Sequence, residues 1–408
     1  MENISTTPPP CRHHTLRVLV LDQGPGLWGA QQYLLRLLPL LAEAGVELTL
    51  ACPPELEQYE HWRSRGLPVI PLALPVSRSI RANGRISARR LVSEIGRSAA
   101  MPKAVARTAV DGGFDIVLAN SHWTHLDAAI ASRIGGPPTV LTLHETTIPG
   151  VGRRMRDVAV RAAEHTIAVS ESVADTVGRG VRRRVSVIPN GVDTERFAPA
   201  DAARRRSVRA ELGVPDDRRI VLAATRLDPT KHIEDLVTLA EQLGDSVSVL
   251  IAGTTSVHAD YERDVRAQAA HLPMERLRFL GARTDVDRLL CAADLFVHTG
   301  LVEGMPLGVV EAQSAGVPVI AYEAAGVREA VLDGRTGLVV APRDTAGLID
   351  AGRHILGSPV VHDDFALAAR QHVVERHRLT DQAVANARLL RSVHRSATGS
   401  RPTGVGAM

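Results

Sequence analysis

Residues 16–52 read LRVLVLDQGPGLWGAQQYLLRLLPLLAEAGVELTLAC. A short apolar run, Leu16 to Leu21, meets a glycine-containing turn; leucines at helical spacing follow and close at Gly45, and a second apolar run, VELTLAC, resumes at once. That is one strand–helix–strand unit. The order recurs as FDIVLAN, a helix near Leu126 to Arg133 and TVLTLHE, then as an Arg/Ala-rich helix, HTIAVS and VSVIPN. Repeated units of this kind predict an α/β architecture, a parallel sheet with helices on both faces.

From Asp193 to Asp217 the pattern breaks into a charged, Pro-punctuated stretch that reads as a linker carrying a short helix. Five further strand candidates follow, RIVLAAT, SVSVLIAG, LRFLG, ADLFVHTG and VPVIAY, separated by helix-length segments. They describe a second doubly wound sheet. The expected organisation is a first domain over 1–193, a linker over 194–217, a second domain over 218–375, a helix over 376–395 packing back on the first domain, and a disordered tail over 396–408. Ligands of open α/β sheets bind outside the strand C-terminal ends, so the cleft between the domains is the expected site.

Composition narrows the function. Aromatic residues make up only 3% of a chain that is 45% apolar, which favours aliphatic α/β packing over a β-sandwich. Cys11, Cys52 and Cys291 form no CxxC, so neither a disulfide framework nor a zinc site is indicated. The N-terminal residues lack an apolar signal core and no run approaches a membrane span, so a cytoplasmic location is expected. A formal net charge of +3 is too small to argue for nucleic acid. Its distribution is uneven: between Arg78 and Arg107 eight cations face a single acid, Glu94.

Residues 300–322, GLVEGMPLGVVEAQSAGVPVIAY, carry the chemistry. Glu303 and Glu311 stand eight apart, but Gly304 and Pro306 place a loop end between them, with Pro306 at the first helical position, Leu307 to Ala315 as the helix and Gly316 as its terminator. Glu303 then lies in the loop at the helix entrance and Glu311 just over a turn inside. Free N–H groups at such an entrance suit a pyrophosphate, and a carboxylate one turn in can accept two ribose hydroxyls. On spacing alone, two solvated helix charges remain an alternative.

The segment EGMPLGVVE followed by AxxxGxPVI resembles the retaining GT-B glycosyltransferases of family four. The resemblance runs from Gly29 to about Gly337. It implies two Rossmann-like domains facing across a cleft, with Glu303 on the donor sugar, Glu311 on the nucleotide ribose, and Gly304, Met305, Pro306 and Leu307 against phosphates or sugar. Arg226 and Lys231 in ATRLDPTKH match the family's phosphate-binding pair, with Thr225 where the family has glycine. GVRE at 326–329 and the strand start at 334–339 also match. PNGVD at 189–193 places the domain boundary.

In QGPGLWGAQQ, Gly29 occupies a donor-side turn, whereas Trp28 departs from the family's paired glycines and is left open as a cleft-narrowing or acceptor-stacking residue. His144 aligns with a histidine that in relatives bonds the transferred sugar; His122 and Glu145 are candidates for acceptor contact. The family implies retention without a cofactor or metal, and no DxD follows a strand; Arg226, Lys231 and the helix dipole are expected to stabilise the departing diphosphate. Expected partners are a nucleotide-sugar donor, with uridine expected on family frequency, and an envelope-glycan, lipid-linked or secondary-metabolite acceptor. The Arg78–Arg107 stretch is read either as a solvated helical surface or as a contact for an anionic membrane or acidic acceptor. The rival readings are a nucleotide-sugar epimerase of the same fold and a catalytically silent sugar-nucleotide-binding protein.

Overall fold

The computed structural model describes residues 15–24, 26–74, 81–82, 85–86, 88–145, 151–255 and 257–399. The first sheet holds β1 (Leu16–Leu21), β2 (Val46–Cys52) and β3 (Val69–Pro71); a two-residue hairpin outside it forms β4 (Arg81–Ala82) and β5 (Arg85–Ile86). It continues with β6 (Ile116–Ala119), β7 (Thr139–Leu143), β8 (His165–Ala168) and β9 (Val185–Val187). The second sheet holds β10 (Arg219–Ala224), β11 (Val247–Ala252), β12 (Leu277–Gly281), β13 (Leu295–His298), β14 (Val319–Tyr322) and β15 (Gly337–Val340).

Strand orders are β3-β2-β1-β6-β7-β8-β9 and β12-β11-β10-β13-β14-β15, and every pairing within the two sheets is parallel. Order reverses between β1 and β6 and between β10 and β13, so each sheet has one point where neighbouring loops diverge and open a crevice. The central strands read as unbroken apolar runs because both faces are covered: Val18, Leu19, Val20, Leu21, Ile220, Val221 and Leu222 are fully buried. Within the two large sheets the strand missed by sequence, β3, is three residues at a sheet edge, where Pro71 removes no needed hydrogen bond.

Three details differ from expectation. Helix 202–211 (Ala202–Glu211), expected within a linker, is docked on the second domain: Val208 and Leu212 are buried, and Arg209 pairs with buried Asp294. Asp294 also pairs with Arg205 (2.8 Å) and Arg219 (3.0 Å) and accepts the Ile220 N–H (2.8 Å). Asp294→Ala strands the buried Arg209 guanidinium, and a loss of about 3–5 kcal/mol in the urea-unfolding free energy is expected. Beyond Asp344 the chain forms three helices, Thr345–Leu356, Pro359–Arg376 and Leu379–Gly399, with breaks at Gly357 and His377. The last of them extends to Gly399, so residues 396–399 are helical, and the rest of the expected tail lies outside the described residues.

That final helix lies on the first domain. Its Leu379, Ala383, Ala387, Leu390 and Val393 share a buried cluster with Leu34, Leu37 and Leu41 of the Gly29–Glu43 helix, and Arg391 donates to the Ala44 carbonyl (2.6 Å). The chain therefore crosses between domains twice, and the crossings lie side by side: Val192 N–H donates to His377 O (2.7 Å) and Leu379 N–H to Val192 O (3.0 Å). Much of the basic Arg78–Arg107 stretch lies outside the described side chains; of the two that are described, Lys103 and Arg107, Arg107 pairs with Asp111 at 3.4 Å on an exposed helix face. Among the described residues no helix is long and apolar enough to cross a membrane.

Candidate functional site

The loop after β1 meets the loop after β10 through Trp28 and Arg226, and His144, following β7, meets the loop after β13 at Gly304. The loop leaving β13 carries Thr299 to Pro306 into the Leu307–Ser314 helix, and the one leaving β10 carries Thr225 to His232. Pro306 caps that helix rather than starting it, so the helix begins at Leu307 and ends at Ser314, one residue short of each expected limit. Asp228 caps the turn before Lys231 through the Thr230 N–H (2.9 Å), and the Thr299 hydroxyl donates to the Lys231 carbonyl (2.6 Å). These bonds fix the Lys231 backbone beside the second loop.

Lys231 Nζ pairs with Glu303 Oε1, and His298 Nε2 approaches the same oxygen at 2.9 Å. All three side chains are largely buried. Burial works against ionisation of Glu303, yet Lys231 first and His298 second outweigh it and hold its pKa down to about 2. The carboxylate is thus charged throughout the physiological range. Sequence reasoning missed His298, although a histidine closing an apolar strand was a readable signal.

Arg226 takes a different partner from Lys231. It pairs with Asp228 (3.0 Å), and its guanidinium sits 4.4 Å from the Trp28 ring centroid, so the residue left open in the first domain lies on a cation of the second. Glu311 is also engaged across the crevice: Arg36, from the Gly29–Glu43 helix, pairs with its carboxylate. A Cβ at Gly29 would lie 3.7 Å from Leu307, an ordinary contact. Met305 is buried and its carbonyl accepts from Asn190 (3.3 Å).

Gly304 has no such room. A Cβ there would stand 1.9 Å from the backbone oxygen of His144, and one at Gly326 would stand 2.1 Å from the Gly304 oxygen. Three backbone segments are therefore stacked directly, and only glycine allows it. Next to them Glu329 reaches over to the first domain and accepts from the Glu171 N–H (2.8 Å), the Ser172 N–H (2.7 Å) and the Ser172 hydroxyl (2.5 Å). The GVRE segment is thus an interdomain clasp.

His144 Nε2 contacts Asn120 Oδ1 at 2.9 Å. Burial lowers the His144 pKa to about 4 against the raising effect of the Asp22 carboxylate, and His122 lowers it further. Between pH 6.5 and 4 the unfolded chain then binds a proton at this position that the folded chain does not, so His144 makes stability fall as pH drops through that window. A shallower fall of Tm from pH 6.5 to 4 is expected in His144→Gln. His122 and Glu145 lie together at 3.7 Å, partly and well exposed respectively, beside Trp123.

The comparisons with known proteins agree with this fold. Residues 28–196 match the model of Glycosyltransferase Family 4 and residues 204–372 that of Glycosyl transferases group 1. The chain is 30% identical over 289 residues to an alpha-maltose-1-phosphate synthase of Mycolicibacterium smegmatis, spanning 64% of this chain and 74% of that one. It is 31% identical over 240 residues to a D-inositol 3-phosphate glycosyltransferase of Mycobacterium bovis, spanning 56% and 46%. Among solved structures, Anabaena HepE in complex with UDP superposes with a TM-score of 0.78 at 24% identity over 92% of this chain and 100% of that one. A sucrose-phosphate synthase from Thermosynechococcus elongatus superposes with a TM-score of 0.77 at 20% identity over 93% and 100%. With these matches spanning both halves and the two sheets facing across one crevice, the chain belongs to the GT-B glycosyltransferases of group 1, with a family 4 first domain.

Proposed function

We propose that the protein transfers a hexosyl group from a UDP-sugar, with retention at the anomeric carbon and without a metal, to a hydroxyl of a small phosphorylated sugar or polyol. The carrying observation is the buried Glu303–Lys231–His298 cluster at the entrance of the Leu307–Ser314 helix, with Arg226 on the same loop as Lys231. Glu303 binds sugar hydroxyls, Glu311 the ribose, and Lys231, Arg226 and the helix N-terminus take the charge that grows on the departing diphosphate. The acceptor hydroxyl attacks from the leaving-group face as the anomeric C–O bond breaks, and its proton passes to the diphosphate oxygen.

The donor reading draws support from HepE, solved with UDP-glucose as well as UDP, and the acceptor reading from relatives whose names contain maltose-1-phosphate and inositol 3-phosphate. A phosphorylated acceptor gives the uneven cationic charge of the first domain a counterpart without a membrane.

Thermal shift with UDP-, GDP- and TDP-sugars in the presence of EDTA tests the donor half. A UDP-sugar should raise Tm by mass action, and Glu311→Ala should abolish the rise. Dependence of the shift on a divalent cation would remove the metal-free mechanism; a shift with every nucleotide unchanged in the variant would remove Glu311 from the ribose. Product NMR then reads the anomeric configuration, and inversion would overturn retention.

A further inference from the structure

Asp22 directly follows β1 and is completely buried. Its carboxylate is surrounded by neutral donors. Oδ1 accepts the Gly24 N–H (2.7 Å), the Ser121 hydroxyl (2.6 Å) and Gln31 Nε2 (3.1 Å); Oδ2 accepts Asn120 Nδ2 (2.6 Å) and again Gln31 Nε2 (3.1 Å). Gln58 Nε2 donates to its backbone oxygen (3.2 Å). A carboxylate so enclosed can only accept, and that property directs everything bonded to it.

The direction passes through Asn120, which ends the loopward side of β6. Its amide N–H points at Asp22, because turning the amide round would set its carbonyl oxygen 2.6 Å from a carboxylate oxygen, acceptor against acceptor. The Asn120 Oδ1 that remains faces His144 Nε2 at 2.9 Å, and it too can only accept. A neutral imidazole meeting an acceptor at Nε2 must carry its proton there. Nδ1 is then left with a lone pair.

We propose that Asp22 is a positioning residue that acts through Asn120 to hold His144 as the Nε2–H tautomer, so that Nδ1 is presented as a hydrogen-bond acceptor for a hydroxyl of the bound sugar. The His144 carbonyl lies against Gly304 of the donor loop, so the residue borders the crevice where that loop meets the first domain. The low basicity of the ring keeps it neutral and so keeps the tautomer meaningful. The three residues come from the ends of β1, β6 and β7, adjacent strands at the sheet's point of divergence, so the relay is set by the sheet itself. The sugar-contact part rests on the glycosyl-transfer reading; the tautomer part does not.

The test uses long-range ¹⁵N–¹H NMR of histidine ring nitrogens in the full-length protein at neutral pH, with His144→Gln identifying the signal. Wild type should show His144 as Nε2–H. Asp22→Asn, which keeps the shape but can turn an amide N–H toward Asn120, should shift the population toward Nδ1–H, and Asn120→Leu, which leaves Asp22 its other donors, should release the preference. Transfer kcat/KM should fall about 10- to 100-fold in both, the scale on which the outer hydrogen-bond partners of a metal-ligating histidine act, while the Tm rise given by UDP alone is retained. Nδ1–H in the wild type, or an unchanged tautomer in both folded variants, would overturn the proposal. Absence of any donor binding by wild type would instead defeat the glycosyl-transfer reading and leave the tautomer result to stand by itself.

Discussion

Lys231→Ala is expected to lower kcat by about 10²–10³-fold, the loss seen when one preorganised donor to developing negative charge is removed. The side chain has two tasks, and alanine ends both. It supplies positive charge beside the diphosphate, and it is the main counter-charge holding Glu303 ionised with a pKa of about 2. Without it, burial acts on Glu303 opposed chiefly by His298, and its pKa climbs. In the wild type Glu303 contributes stability that is fully present above the unfolded carboxylate value of about 4.3 and is lost as pH falls toward 2. In the variant the folded-state value lies nearer the unfolded one, so this contribution should be smaller and its loss complete at a higher pH. Steady-state kinetics and acid-side Tm measurements read the two effects separately; a variant within threefold of wild type in kcat, at roughly unchanged acid stability, would assign Lys231 no role in either.

Gly304→Ala should cost about 10²-fold in kcat/KM, the scale of a misplacement of order 1 Å in a reacting pair, with little change in Tm. The added methyl carbon would meet the His144 backbone oxygen at 1.9 Å and carbon at 2.9 Å. Those atoms belong to the other domain's main chain and cannot rotate aside as a side chain would. The strain is relieved by moving the domains apart, which leaves both cores untouched and withdraws the donor loop from His144. Full activity in the alanine variant would mean that the two loops need not touch during turnover.

Both sheets were legible in the sequence for one physical reason: parallel strands buried on two faces are continuous apolar runs, and glycine and proline mark their ends. The helix entrance between Glu303 and Glu311 was legible through the same punctuation. Arg36 was not, because it lies inside an ordinary amphipathic helix and acquires meaning only from Glu311, 275 residues away. Asp22 and Asn120 escaped notice although each is a polar residue ending an apolar strand, since a hydrogen-bond relay has no spacing rule along the chain. Glu329 was visible as a motif member, but its bonds to the Ser172 backbone and hydroxyl appear only when the domains are assembled. Local chemistry can be read from a sequence; the choice of a distant partner is made by topology.

The helix that returns from the second domain to the first has a consequence for how the molecule is made. Leu34, Leu37 and Leu41 emerge from the ribosome more than 300 residues before the residues that cover them, Leu379 to Val393. At about 5–20 residues per second, the interval is roughly 20 to 70 s. During that time the nascent first domain carries an open leucine face, a natural stop for a chaperone. Neither half of this chain is therefore a module that can be excised at the first crossing: a fragment ending near residue 193 would keep that face exposed for good.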